Sequence, residues 1–262
     1  MAYVLGIDIG SGFSKAVICK NTAILSYAIM PSGGDYKETS GKIAEIVLEK
    51  AGLSSGDISF TVATGYGAAM VDFADRSITD ISCHAAGVFH IFPSVRTLID
   101  IGAQFSKAIR LNDTGKVANF VLNEKCAGGS GKFIQVMARI LHMDIENIGE
   151  LSLKSVKPVE FTTGCAVFAE SETVSRIAEG TLPADILAGM HKAMASKIVN
   201  LVVRLGLTKD CAITGGGAKD LGLVKAIETE LNSDILIPEE PRITAALGAA
   251  LLALENACST GK

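Results

Sequence analysis

The chain has 262 residues, 48% of them hydrophobic and 20% charged, which is enough apolar material for two lobes of about 100–150 residues each. Its 24 Lys and Arg against 28 Asp and Glu leave a formal net charge of −4, so no basic field exists to hold a nucleic-acid backbone or an anionic membrane. Trp is absent, aromatics are 5% and Gly numbers 27, which favours tight turns over stacking surfaces and excludes collagen, coiled coil and disorder.

The opening Met1–Gly10 lacks the basic region and cleavage site of a signal peptide and reads as a strand. No run of about 18 uncharged apolar residues marks a membrane span. Six Cys without an export signal argue against a disulfide framework and for reduced thiols or metal ligands in a cytoplasmic protein.

In chain order, the pattern predicts a hairpin around Asp8–Lys15, a third strand over Ala23–Met30 and a helix over Glu38–Ala51. A strand over Phe60–Ala63 and a helix over Ile81–Ile91 follow. A second hairpin begins at Thr97–Ile101, with its own third strand over Val117–Leu122. Helical period returns in Lys132–Leu141, where Phe133, Val136, Met137 and Ile140 share a face, then in Val167–Ala178 and Ile186–Leu205. Cys211–Thr214 and Asp234–Ile237 read as strands on either side of a helix over Leu221–Leu231, and a last helix covers Ala245–Ala257. The expected lobes are residues 1–95 and 96–262, with the terminal helix a candidate to fold back onto the first.

The chain repeats its opening. Ile7–Val17 aligns without gaps on Ile99–Ile109, with eight of eleven positions identical. Each copy is an apolar run ending in Asp-Ile-Gly, a turn of Gly and small polar residues, and a second apolar run, the pattern of a β-hairpin. A second echo joins Val62-Ala63-Thr64-Gly65-Tyr66-Gly67 to Ala212-Ile213-Thr214-Gly215-Gly216-Gly217. A duplicated α/β lobe accounts for both echoes.

An Asp at a strand end beside a Gly-containing turn presents a carboxylate and backbone N–H groups to one point. Two such turns can clamp a polyphosphate, with Asp8 and Asp100 holding hydrated Mg²⁺. The phosphate contacts then fall to Gly10, Ser11, Gly12, Phe13, Ser14 and Lys15, and to Gly102, Ala103 and Gln104. Gly215, Gly216, Gly217 and Lys219, opening a helix, suit an adenosine or its phosphates. Lys15 and Lys107 either meet phosphate or point to solvent, and His84 either contacts the nucleotide or is structural. Glu170 and Glu172 support a binding helix or form a solvated face.

The order of two Asp-Ile-Gly hairpins and a later Gly-rich turn resembles the actin, sugar-kinase and heat-shock-chaperone ATPase superfamily. It is closer still to the ATP-dependent activators of 2-hydroxyacyl-CoA dehydratases and the ATP-binding subunits of benzoyl-CoA reductase. The residues that carry the resemblance are Gly6–Lys15, Thr64–Gly67, Ser82-Cys83-His84, Asp100–Lys107, Asn123–Phe133, Cys165–Glu172, Thr214–Gly217 and Gly248-Ala249-Ala250. The resemblance implies an α/β fold of duplicated ribonuclease-H-like, actin-like ATPase lobes with a nucleotide cleft between them. It also implies ATP-driven electron donation, in which Gln104 orients the attacking water.

Cys126 and Cys165 each stand at an expected helix start, where the helix dipole favours a thiolate. Read alone, they are either metal ligands or small thiols beside Gly-rich turns. The resemblance implies one 4Fe–4S cluster bridging two protomers through Cys126 and Cys165 of each. Cys19, Cys83 and Cys211 read as core thiols and Cys258 as part of a polar tail.

The family's second turn reads Asp-Ile-Gly-Gly-Gln-Asp, whereas this chain has Ala103 and Phe105. The change removes one metal- or water-positioning acid. The implied assembly is a homodimer, or half of a heterodimer with a related subunit, using ATP/ADP and Mg²⁺. Ferredoxin or flavodoxin is the implied donor and a dehydratase-like or double-cubane protein the acceptor. A benzoyl-CoA reductase-type subunit and a small-molecule kinase are the alternatives.

Overall fold

The computed structural model describes residues 2–123, 127–161 and 166–259. The chain divides into two compact units, one of Met1–Arg96, Leu111–Ala118 and Pro238–Lys262, the other of Thr97–Arg110 and Asn119–Ile237.

The first unit is built on β1 (Tyr3–Ile9), β2 (Phe13–Lys20), β3 (Ala23–Pro31), β4 (Ile58–Thr64) and β5 (Arg76–Ser77), in the order β3-β2-β1-β4-β5. The first three strands form an antiparallel meander, and β4 and β5 add to it in parallel. The second sheet contains β6 (Thr97–Ile101), β7 (Ser106–Leu111), β8 (Val117–Asn123), β9 (Cys211–Thr214) and β10 (Ile235–Leu236), in the order β8-β7-β6-β9-β10. Again the first two strands pair antiparallel, while β9 joins β6 and β10 joins β9 in parallel. The sequence repeat is therefore a repeat of topology. β1 and β6 are the central strands and are buried along almost their whole length, which is why both read as continuous apolar runs.

Helix α1 (Tyr36–Ala51) starts at Asp35, whose carboxylate accepts from Glu38 N at 2.9 Å, and ends at Gly52 in the left-handed region. Its Ile43, Ala44 and Val47 pack with Ile7, Ile9, Ile18 and Ala63. Helices α2 (Asp80–Ile91) and α8 (Thr244–Ser259) supply Cys83, Ala246, Leu247 and Ala250 to a second core with Val4, Val17 and Val62. Three glycines permit that approach. A Cβ at Gly6 would strike the carbonyl of Ala246, one at Gly87 that of Thr244, and one at Gly248 that of Cys83.

The second unit adds α3 (Gly131–Ile140), α4 (Ile145–Ser152), α5 (Ala166–Ala178), α6 (Pro183–Leu205) and α7 (Leu221–Leu231). The apolar stripe of α6 (Ile186, Leu187, Met190, Met194, Ile198) is buried in one core with Ile99, Ile213, Leu223 and Ile227. Two elements, β5 and α4, carried no readable period because they are only 2 and 8 residues long. Cys258 is exposed but lies inside α8, not in a tail. Burial of Ala253 and Ala257 keeps that helix packed almost to its end.

Candidate functional site

The two hairpins deliver matching sets of groups. Asp8 stands opposite Lys15 in the β1–β2 ladder and opposite Thr64 in β4. Asp100 stands opposite Lys107 and Thr214 in the same way. Both carboxylates are buried, at 6% and 3% exposure. Lys15 Nζ lies 2.9 Å from Asp8 Oδ2 and Lys107 Nζ lies 3.4 Å from Asp100 Oδ2. Each lysine, left by the sequence between phosphate and solvent, is thus drawn onto its own carboxylate, where pairing offsets the desolvation of both charges.

A glycine backs each carboxylate. Gly65 has φ +89° and Gly215 φ +83°, and a Cβ on either would collide with Oδ1 of Asp8 or Asp100 respectively. Only glycine combines that backbone angle with that approach. Two residues later, Gly67 and Gly217 lie against the side chains of Ile9 and Ile101. Gly216 differs, because nothing lies within 4 Å of where its Cβ would stand. The 3₁₀ turn Gly216–Lys219 then runs into Asp220, which caps α7 by accepting from Leu223 N at 3.0 Å.

The turns are closed by Gly10 N donating to Phe13 O (3.2 Å) and Gly102 N to Phe105 O (2.9 Å). Their carbonyls are held from behind by different devices. In the first turn Ser32 Oγ donates to Gly10 O at 2.6 Å and Ser32 N to Gly12 O at 3.1 Å, with Ser14 Oγ 2.8 Å from Ser32 Oγ. In the second, the leading N–H groups of α3 take that place: Gly131 N donates to Gly102 O (2.9 Å) and Lys132 N to Ala103 O (2.8 Å). Ser106 Oγ donates to Gly129 O beside them. Among the described residues no acceptor takes the N–H groups of Ser11 and Gly12, or of Ala103 and Gln104. Paired amides left without an acceptor in this way attract anions.

Phe13 is 42% exposed and Phe105 half-buried, while Gln104 is exposed. The first ring therefore does not fill space beneath its hairpin. Buried carboxylate oxygens, amides without an acceptor and an open glycine backbone suit Mg²⁺ and phosphate.

The remaining candidates separate clearly. Cys126 and Cys165 lie outside the described residues. Cys19, Cys83 and Cys211 are buried, and burial pushes each thiol up to about 12. His84 is buried in α2. Glu170 and Glu172 form ion pairs with Arg139 and Arg176, each at 3.5 Å. Sequence reasoning missed Ser32 and the α3 amides. Neither follows a periodic pattern, and only the short Ser32–Asp35 loop of Ser and Gly hinted at a brace.

Residues 5–253 match the BadF/BadG/BcrA/BcrD ATPase family. The chain belongs to that family. The (R)-2-hydroxyglutaryl-CoA dehydratase activating ATPase of Acidaminococcus fermentans is 41% identical over 257 residues, spanning 97% of this chain and 98% of that one. The solved activator of 2-hydroxyisocaproyl-CoA dehydratase from Clostridium difficile, with bound ADPNP, superposes with a TM-score of 0.95 at 39% identity, covering 99% of this chain and 97% of that one. A ROK family glucokinase from Streptomyces griseus shares the fold alone, with a TM-score of 0.60 at 12% identity over 97% of this chain and 100% of that one. The architecture of this ATPase-family chain is thus the duplicated actin-like, sugar-kinase α/β fold, as the family resemblance implied.

Proposed function

We propose that this ATPase is a reductive activator, using ATP hydrolysis to drive low-potential electrons into a 2-hydroxyacyl-CoA dehydratase-like or double-cubane iron–sulfur protein. The observation that carries the reading is the paired set of buried carboxylates, Asp8 and Asp100, each beside a turn whose amides have no acceptor among the described residues. The relatives named as dehydratase activators favour this use of the fold over sugar phosphorylation.

In this reading Asp8 and Asp100 hold Mg²⁺ and its water, and Gln104 orients the attacking water. The Gly10–Lys15 and Gly102–Gln104 turns bind phosphate oxygens, while Gly215–Gly217 and Lys219 take the nucleoside end. Catalysis of hydrolysis to ADP and phosphate then rests on positioning and charge stabilisation. The amides of Gly131 and Lys132 tie the second turn to the start of α3, so displacement of that turn pulls on the segment that follows Cys126. A 4Fe–4S cluster held by Cys126 and Cys165 of two protomers would supply the one-electron couple. A cytoplasmic homodimer, or a heterodimer with a related subunit, loaded by ferredoxin or flavodoxin, completes the proposal.

Anaerobic purification tests it. The expected protein is brown, contains about four irons per dimer, hydrolyses MgATP and reduces its acceptor only while ATP is present. A colourless, iron-free protein that passes the γ-phosphate to a small hydroxyl compound would instead be a kinase of the same fold.

A further inference from the structure

The exit of the Gly215–Lys219 loop rests on a buried polar network that none of the roles above uses. Asp220 N donates to Gly217 O at 3.2 Å and closes the loop. Its side chain divides: Oδ1 accepts from Leu223 N at 3.0 Å, and Oδ2 lies 2.9 Å from Nε2 of His191 on α6. His191 Nδ1 lies 2.9 Å from Ser152 Oγ on α4, which donates to Gly149 O at 2.7 Å. Exposures are 1% for His191, 5% for Ser152 and 8% for Asp220.

The packing leaves no slack. A Cβ at Gly222 would strike Ser152 Oγ, and one at Gly149 would stand 2.7 Å from Asp220 Oδ1. The loop is therefore pinned at both ends, by Asp100 behind Gly215 and by His191 behind Asp220, with the open backbone of Gly216 between.

We infer that His191 is a positioning residue for nucleotide binding: by holding Asp220 it fixes where the loop ends and α7 begins, and so where the Gly216 backbone meets its ligand. The inference rests on the reading of Gly215–Lys219 as a nucleotide loop. Losing His191 leaves Oδ2 of the buried carboxylate unpaired while Oδ1 keeps Leu223 N, and a buried oxygen left without a donor turns away or draws in water. Either response shifts the loop while leaving Asp8, Asp100 and Gln104 in place.

Titration calorimetry with MgADPNP on the anaerobically purified dimer, beside steady-state ATPase kinetics, provides the test. His191→Phe keeps the volume and removes both hydrogen bonds. It should weaken nucleotide binding about tenfold, the loss typical of one buried hydrogen bond, with kcat at saturating ATP falling far less. His191→Gln, whose amide can still donate to Asp220, should recover part of the loss. The double variant His191→Phe/Asp220→Asn should cost less than the sum of the single changes. If His191→Phe does not fold, Ser152→Ala removes one partner only and should give a smaller shift of the same sign. Lower thermal stability with unchanged MgADPNP affinity in these variants would reduce the network to core packing and overturn the inference. Gly216→Val separates the underlying reading, because it adds a side chain into open space. Unchanged affinity there would remove the nucleotide-loop assignment itself. Lost affinity there, with His191→Phe unaffected, would sink the positioning role alone.

Discussion

Asp8 and Lys15 face each other across the β1–β2 ladder and meet at 2.9 Å. The same pair recurs as Asp100 and Lys107 at 3.4 Å. Each carboxylate is therefore already partnered by an ammonium, with Oδ2 engaged and Oδ1 lying against a glycine.

Asp8→Asn and Asp100→Asn should each cut ATP hydrolysis by on the order of 10²–10³, the usual cost of one positioned electrostatic contact. The amide still offers its lysine an oxygen, so circular dichroism should show an intact fold. Wild-type turnover in both variants would mean that the repeated turns are structural.

Cys126→Ala or Cys165→Ala should lose iron and colour, while Cys19→Ala and Cys211→Ala keep both, because the latter two thiols are buried in the strands of separate cores. Iron analysis after anaerobic purification decides this. Full iron content in Cys165→Ala would end the ligand assignment.

Phe105→Asp should raise ATPase turnover or tighten Mg²⁺ dependence. Phe105 is half-buried and its counterpart Phe13 is 42% exposed, so an acid there can reach water without the several kcal/mol cost of a buried charge. A variant with unchanged stability, turnover and Mg²⁺ dependence would refute the role of this position.

The buried thiols make stability fall in alkali. Cys19, Cys83 and Cys211 ordinarily ionise near 9.0, and burial pushes each up to about 12. Below pH 9 native and unfolded chains both keep these protons. Between about pH 9 and 12 the unfolded chain has lost them and the native one has not, so stability declines as pH rises, by up to about 1.4 kcal/mol per pH unit per thiol. Urea midpoints across that window should fall less steeply in Cys211→Ala than in the parent protein. Equal slopes would contradict the assignment.

Much of this was legible in the sequence because the two lobes repeat. Asp8–Lys15 and Asp100–Lys107 share six of their eight residues, and each reads as a strand end, a turn and a strand. The long helices α1, α6 and α7 showed their period. What stayed hidden depends on tertiary approach. No local pattern says that Gly65 must admit Asp8, that Ser32 braces one turn while α3 braces the other, or that His191 reaches Asp220. These are contacts between distant stretches, and single residues without periodicity make them.

Unit boundaries have a consequence for how the chain comes off the ribosome. The strands of the first sheet are translated before the second unit, yet α8, for which Gly6 and Gly87 make room, is translated after it. All segments of the second unit precede Pro238, whereas the first unit still lacks its last segment at that point. At about 5–20 residues per second, the interval from Arg96 to Thr244 lasts on the order of 10 s. Throughout it, the face formed by Val4, Val17 and Val62 lacks the cover that α8 supplies, and the nascent N-terminal sheet is the stretch a holdase chaperone has reason to shield.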